Sequence, residues 1–194
     1  MKRPSTYSAL VLLTSGLVLT APLVVHPGPI RAESDRTFTI DVAEDCRTGV
    51  VNSANPHEDT SVVNSVGDTL IVAGTIYPGG TLHSGTQNNS PDDPGSIGEW
   101  RSRATLLANW NGNTNLFDGS PIAFATMLYS LNNGRDSLVS EGLVPNVGLS
   151  VKRAVIGGTG SFAAASGEVR HQNLGTNATA CFNYRFTFKL SDKE

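Results

Sequence analysis

The side chains that could transfer a proton in this sequence are mainly scattered carboxylates. The candidate acids are Asp41, Asp45, Glu99, Glu141 and Glu168. In a β-strand, alternate residues face opposite sides, and this parity directs Glu99 and Glu168 away from the apolar positions beside them. Asp41 is the acid closest to a position that could face an enclosed cavity, so we predict it as the catalytic candidate.

One histidine and three aromatic side chains could line a binding site. In the predicted strand 167–172, His171 lies on the same side as Gly167 and Val169, and this side is expected to face inward. No serine or cysteine nucleophile can be matched to His171, so hydrolase chemistry has no support. The rings of Trp100, Tyr129 and Tyr184 combine apolar area with a polar tip. We predict that these four residues bind a ligand, and the alternative is that they only fill the core.

The elements that must position these residues are predicted to be strands. Short apolar or alternating runs are separated by turn signals, and no window has sustained helical periodicity. Closure of a meander of about eight short strands removes exposed edges, so the predicted fold is all-β, a single eight-stranded antiparallel β-barrel. The predicted strands are residues 38–42, 69–77, 99–110, 122–131, 136–144, 150–156, 167–172 and 180–190.

Several connections and faces have specific expectations. Asn132-Asn133-Gly134 is a hairpin signal, and the glycines of residues 157–160 are predicted to form a turn. Residues 52–59 and 109–119 are predicted loops. Residues 78–98 are long enough to be a functional rim loop or a mobile lid. The 122–131 strand is apolar on both faces, which favours burial on both sides.

The N-terminus has the layout of a secretory signal. Lys2 and Arg3 precede an apolar run of about ten residues, which is short for a membrane span. We therefore predict a signal peptide over residues 1–32, with cleavage after Ala32 or Ala21, and one domain over 33–194; the alternative is a retained N-terminal membrane anchor. The mature protein is expected to be secreted or periplasmic, without a stable membrane span.

The charge and the cysteines exclude some classes of function. Residues 1–32 hold three of the 14 basic residues and none of the 17 acidic ones, which leaves a mature charge of about −6. This balance gives no reason to expect nucleic-acid binding. Cys46 and Cys181 form an even pair, which favours a disulfide over two free thiols in an oxidising compartment. Neither cysteine has a neighbour at metal-ligand spacing, and we expect no metal or cofactor.

Four segments from residue 67 onward form a recognisable pattern. The main ones are AVIGGTGSFAAASGEV over 154–169 and the closing strand FNYRFTFKL over 182–190, supported by GDTLIVAGTIY over 67–77 and IGEWRSRATLL over 97–107. In these segments the chain resembles the allene oxide cyclase barrel family and, more distantly, plant dirigent proteins. The resemblance implies an eight-stranded barrel with an apolar cavity, often trimeric. A disulfide joining the two ends of the barrel, as in dirigent proteins, would pair Cys46 with Cys181.

The resemblance leaves three functions open. It places Gly74 where the cyclases carry an asparagine and Ala104 where they carry a cysteine, so allene oxide cyclisation itself is the least favoured. The leading hypothesis is an exported barrel that binds a small apolar molecule, either as a carrier or as a guide of a non-redox cyclisation or coupling. The third is an interaction scaffold that uses residues 78–98 or the face of Arg101 and Arg103.

Overall fold

A computed structural model describes residues 36–54, 65–84, 89–107 and 123–191. The predicted signal peptide and the predicted loop 109–119 lie outside these residues, as does most of the predicted loop 52–59. In the described part of the chain, no helix is sufficiently long and apolar to cross a membrane. The strands are β1 Arg36–Asn52, β2 Thr69–Pro78, β3 Gly98–Leu106, β4 Ala123–Leu131, β5 Asp136–Val144, β6 Ser150–Thr159, β7 Ser166–Thr176 and β8 Phe182–Ser191.

The eight strands form one closed antiparallel barrel in sequence order, which confirms the predicted fold class. β1 closes the barrel by pairing with β8, with Ile40 opposite Phe186 and Val42 opposite Tyr184. Directly opposed residues of neighbouring strands share a face. The predicted aromatic face of β8 therefore lies inside the barrel, together with the apolar positions of β1.

The alternation predicted for β3 is confirmed, whereas the prediction for β4 is wrong. Trp100 and Ser102 of β3 are buried, and Arg101 and Arg103 between them are exposed. In β4 only one face is buried, because Phe124 and Leu128 on the other face are 42% and 38% exposed. The barrel is a single layer, so its outer face has nothing in the described residues to cover this strand.

The glycine-rich segment is only partly a turn. Gly157 and Gly158 belong to β6, and the reversal begins at Gly160, which has a φ of 61°. A Cβ on Gly158 would lie 2.4 Å from the carbonyl oxygen of Ser137, so this glycine permits close strand approach instead of a left-handed turn. The hairpin at Asn132-Asn133-Gly134 is confirmed, and both asparagines have positive φ.

Phe162, at the end of the Gly160–Phe162 turn, covers one end of the barrel. Its ring stacks on Phe38 at 5.5 Å, and Phe38 stacks in turn on Phe188 at 4.9 Å. The Arg36 guanidinium lies over the outer side of the Phe162 ring, 5.1 Å from its centroid. This end of the interior is therefore filled by aromatic rings.

The disulfide between Cys46 and Cys181 is present and confirms the predicted pairing. It links β1 to the residue before β8, across 135 positions of the chain. The chain-entropy model assigns a loop of this length about 4 to 5 kcal/mol of stabilisation. The bond ties the two strands that close the barrel, next to the part of β1 that carries Glu44.

Candidate functional site

Four interior side chains form a group that we call the Tyr184 cluster: Glu44, Trp100, His171 and Tyr184. The Tyr184 hydroxyl donates a hydrogen bond to Glu44 Oε2 at 3.3 Å. The His171 ring meets the Tyr184 ring edge-on at 4.6 Å, and the Trp100 ring lies 5.9 Å from it. Tyr184 therefore contacts all three other members, and the cluster brings together three of the four predicted ligand-binding residues.

Glu44 is a carboxylic acid inside an aromatic interior. Its side chain is 4% exposed, and its Oε2 also accepts a hydrogen bond from the Phe182 backbone N–H at 3.3 Å. Burial raises the pKa of Glu44 to about 7, although the hydrogen bonds from Phe182 and Tyr184 act in the opposite direction. At neutral pH this group can both accept and release a proton.

Two members of the cluster present polar atoms that have no partner. Both ring nitrogens of His171 and Nε1 of Trp100 are buried without a hydrogen bond in the described structure. Burial, and then the charge of Arg153, hold the pKa of His171 well below its usual range, so the ring is neutral. A neutral imidazole offers one donor and one acceptor, and the indole offers one donor. Unsatisfied buried groups of this kind are costly and rare.

The close packing of Trp100 against the strand that carries Glu44 depends on the absence of a side chain at Gly74. Gly74 lies between Glu44 and Trp100 in the strand register. A Cβ there would lie 2.6 Å from the Ala43 carbonyl oxygen and 3.1 Å from the Trp100 ring. An asparagine at this position, as the cyclases carry, would displace both β1 and the indole. Trp100 thus occupies the space that this asparagine would need.

Tyr129, the fourth predicted ligand-binding residue, lies deeper among the rings. It makes edge contacts with Phe186 and Phe188, both at 5.1 Å, and its hydroxyl is 3.0 Å from Ser140 Oγ. Burial raises the pKa of Tyr129 to about 12, so the phenol stays neutral. Its place in the structure is that of a core residue bordering the cluster, and its role in binding stays a prediction.

Asp41, the predicted catalytic residue, lies on the outer face of the barrel. Its two carboxylate oxygens accept hydrogen bonds from Arg185 Nε and Nη2 at 2.8 and 2.9 Å. Oδ2 also accepts the backbone N–H groups of Gly80 and Leu82, both at 2.9 Å. Asp41 thus holds the segment after β2 against the outside of β1 and β8. A catalytic role for Asp41 stays a prediction, and this position does not favour it.

The segment after β2 is held at several points where the structure describes it. Besides the contacts to Asp41, the Tyr77 hydroxyl donates to the carbonyl oxygens of Ser90 and Asp93, both at 3.0 Å. Leu82 is buried in a small outer apolar group with Ala43 and Tyr77. Residues 85–88 of the expected rim loop lie outside the described structure. The described parts form a strap along the outer wall of the barrel.

Arg153 and Glu44 are the two charged interior residues that the sequence analysis missed. The signal for Glu44 was available, because the inward alternation of Phe38, Ile40 and Val42 reaches Glu44 two residues later. Arg153 lies on the inward face of β6, opposite the buried Val169 of β7. A basic residue at an inward position interrupts the apolar pattern of a strand, so the sequence suggests that the apolar run ends there.

A surface pocket of about 340 Å³ lies beside Phe162, at the end of the barrel whose interior is filled by aromatic rings. Phe38, Leu131, Asp136 and Phe162 are among its lining residues, and no member of the Tyr184 cluster is. Within the described residues, no group of three or more histidine, cysteine, aspartate or glutamate side chains could hold a metal ion. The Tyr184 cluster is therefore the candidate site.

The comparisons with known proteins identify the fold and no sequence family. No protein-family model and no curated protein sequence matches the chain. Solved structures do match it. Pyocyanin demethylase aligns with a TM-score of 0.52 and 17% identity, covering 80% of this chain and 100% of its own.

Two pterocarpan synthase dirigent proteins align as well. One has a TM-score of 0.57 and 13% identity, covering 84% of this chain and 99% of its own. The other has a TM-score of 0.56 and 11% identity, covering 84% and 87%. The chain therefore has a dirigent-like barrel fold, and at these identities the likeness concerns the fold alone.

Proposed function

We propose that the barrel binds a small, largely apolar molecule at the Tyr184 cluster and guides a cofactor-free isomerisation, cyclisation or coupling by moving a proton through Glu44. The observation that carries this proposal is the Glu44 carboxyl, which is buried among aromatic rings, has a pKa of about 7 and is hydrogen-bonded to Tyr184. A general acid or base is most effective when its pKa lies near the working pH.

The surroundings of Glu44 fit this role physically. A buried, desolvated carboxylate is a stronger base toward a carbon acid or a phenol than one in water, because its charge is poorly solvated. The Tyr184 hydroxyl fixes the orientation of one oxygen, Oε2, while Oε1 takes no hydrogen bond from the described residues. Oε1 is therefore the atom that would exchange a proton with a bound molecule.

The fold comparisons support the proposal only coarsely. The matched proteins are named as a pterocarpan synthase of the dirigent type and as a pyocyanin demethylase. Export to the periplasm or the outside of the cell belongs to this proposal as well. The disulfide is compatible with such a compartment.

The test uses 5-nitrobenzisoxazole, a planar ring compound that opens when a base removes its C–H proton. The proton moves to the base, the N–O bond breaks, and the coloured cyanophenolate product is followed by absorbance. We expect the protein to accelerate the opening, with a rate that rises with pH around 7. Glu44→Gln should remove this acceleration.

Glu99→Gln is the matched control, because Glu99 is an exposed glutamate on the outer face of β3. This variant should open the probe as fast as the wild-type protein. Equal rates for the wild-type protein and the Glu44→Gln variant would overturn the assignment of Glu44 as the base. A rate without an inflection near pH 7 would do the same.

A second candidate function, a scaffold that docks a protein partner, is favoured by the outer face of β4 and β5. Phe124 lies opposite Leu143, and Leu128 lies opposite Val139. Phe124, Leu128 and Leu143 are each more than a third exposed. The homotrimer expected from the resemblance would have an apolar surface here to bury. Leu128→Lys would then lower the mass measured by analytical ultracentrifugation, and an unchanged mass would exclude this face.

A further inference from the structure

Arg153 is a buried cation without an acidic partner. It is 2% exposed, and no carboxylate forms an ion pair with it in the described part of the chain. Its Nη1 donates to the carbonyl oxygens of Gly142 and Leu143, both at 2.8 Å. Nη2 donates to the Ala125 carbonyl oxygen at 2.6 Å. The hydrogen bonds are satisfied, and the charge of Glu141 acts on Arg153 without forming an ion pair with it.

The backbone around Arg153 is shaped to accept it. Gly142 has a φ of 150°, and a Cβ there would lie 3.1 Å from both Cβ and Cγ of Arg153. Nε of Arg153 reaches Ser140 Oγ at 3.3 Å, and the same hydroxyl meets Tyr129. Desolvation of an unpaired ion costs several kcal/mol even after relaxation. The hydrogen bonds of Arg153 offset part of this cost, and a role at the Tyr184 cluster would account for the rest.

The field of Arg153 reaches the Tyr184 cluster. Its charge acts with burial to lower the pKa of His171, and it opposes the upward effect of burial on the pKa of Tyr184. All five N–H donors of Arg153 face main-chain or serine oxygens, so the guanidinium acts on the cluster through its field. A fixed charge in a water-poor interior stabilises negative charge that develops nearby.

The donors that could meet such a charge directly belong to Trp100 and His171. The indole Nε1–H and one N–H of the neutral imidazole are buried and unpartnered. Both rings lie against Tyr184, which holds the acid–base group Glu44 on its hydroxyl side. The site thus combines a base, one or two hydrogen-bond donors and a positive field.

We propose that the substrate is a planar carbonyl compound that reacts through its enolate at the Tyr184 cluster. This inference rests on the proposed function of Glu44. The substrate carries a C=C bond in the β,γ position. The Glu44 carboxylate removes the proton from the carbon next to the carbonyl; the electron pair of that C–H bond forms a new C=C bond, and the π pair of the carbonyl moves to its oxygen. Trp100 or His171 donates a hydrogen bond to that oxygen. Protonated Glu44 then returns the proton to the γ carbon of the dienolate, so the β,γ-unsaturated substrate becomes its α,β-unsaturated isomer without oxidant or cofactor.

The experiment compares naphthalene with 2-naphthol as ring-shaped probes. The Glu44→Gln variant is the receptor, because its neutral amide stands in for the protonated acid of the enolate complex. Naphthalene binding is measured by fluorescence. The ionisation of bound 2-naphthol is measured by absorbance during a pH titration, since its anion imitates an enolate oxygen. We expect naphtholate to bind at least about tenfold more tightly than neutral naphthol, which corresponds to a fall of about one unit in its pKa.

Two variants locate the source of this preference. Arg153→Met should abolish the tenfold preference for naphtholate, and Arg153→Lys, which keeps the charge, should retain most of it. Trp100→Phe removes one donor and should reduce the preference. If Arg153→Met does not fold, the titration with the Glu44→Gln receptor and the Trp100→Phe comparison still decide the matter.

The outcomes separate this inference from the proposed function. If naphthalene binds and the pKa of bound 2-naphthol equals its value in water, the enolate proposal is overturned while binding at the cluster stands. If neither probe binds to the wild-type protein or to the Glu44→Gln variant, the proposed binding function fails. A preference for naphtholate that persists in Arg153→Met assigns the effect to another group and overturns the role of Arg153.

Discussion

Replacing Glu44 by glutamine should stabilise the protein in a strongly pH-dependent manner. The pKa of Glu44 rises from 4.5 in the unfolded chain to about 7 in the folded protein. A carboxyl whose pKa is raised on folding binds its proton more tightly in the native state. Its ionisation therefore destabilises the fold increasingly as pH rises from about 4.5 to about 7, and the destabilisation is constant above that range.

The size of the effect follows from the shift. At pH 8 the ionisation of Glu44 lowers the unfolding free energy of the wild-type protein by about 3 kcal/mol, and at pH 5 it lowers it by less than about 1 kcal/mol. The difference in unfolding free energy between Glu44→Gln and the wild-type protein should therefore grow by about 2 to 3 kcal/mol from pH 5 to pH 8. For a domain of this size that is about 5 to 10 °C in Tm.

Urea unfolding of both oxidised proteins at the two pH values measures this difference, and Glu99→Gln controls for the loss of one negative charge. Both proteins must unfold with the same m-value for the comparison to hold. If the difference between Glu44→Gln and the wild-type protein is the same at pH 5 and pH 8, the buried Glu44 carboxyl does not titrate in this range. The reasoning about its role as a base would then be refuted.

Two further predictions concern the closure of the barrel and its outer strap. Reduction of the Cys46–Cys181 bond should lower the unfolding free energy by about 4 kcal/mol. Urea titration with and without reductant measures this change. A change below about 1 kcal/mol would contradict the chain-entropy account. Asp41→Asn should cost about 3 kcal/mol, because it breaks a buried ion pair with Arg185, and should expose residues 78–84 to limited proteolysis. Loss of 5-nitrobenzisoxazole opening in Asp41→Asn, with its fold intact, would return the catalytic role to Asp41.

The barrel could be predicted because its determinants are local. Alternation in β3 and β8 and the Asn132-Asn133-Gly134 hairpin follow from short-range rules, and the disulfide follows from the even number of cysteines. β4 was mispredicted because apolar side chains on both faces suggest two-sided burial. Whether a second layer covers a face is decided by tertiary structure, which the pattern of one strand does not contain.

The candidate site was predicted only in its aromatic part. The inward positions of Trp100, His171 and Tyr184 follow from parity, and the structure brings them into contact. Asp41 was chosen as the acid closest to a possible cavity position, although the alternation of Phe38, Ile40 and Val42 continues inward to Glu44. β1 runs on to Asn52, and its register with β2 shifts only between Asp45 and Val50.

The two interior charges are the strongest argument that the barrel does more than enclose a core. Glu44 and Arg153 are both buried, yet no ion pair joins them in the described structure. Apolar residues of similar volume at such positions would be neutral or stabilising. A fold under selection for stability alone would replace the charges or pair them. Kept apart around Tyr184 and His171, the two charges would place the proposed base and a positive field on one bound molecule, at a cost in stability typical of functional sites.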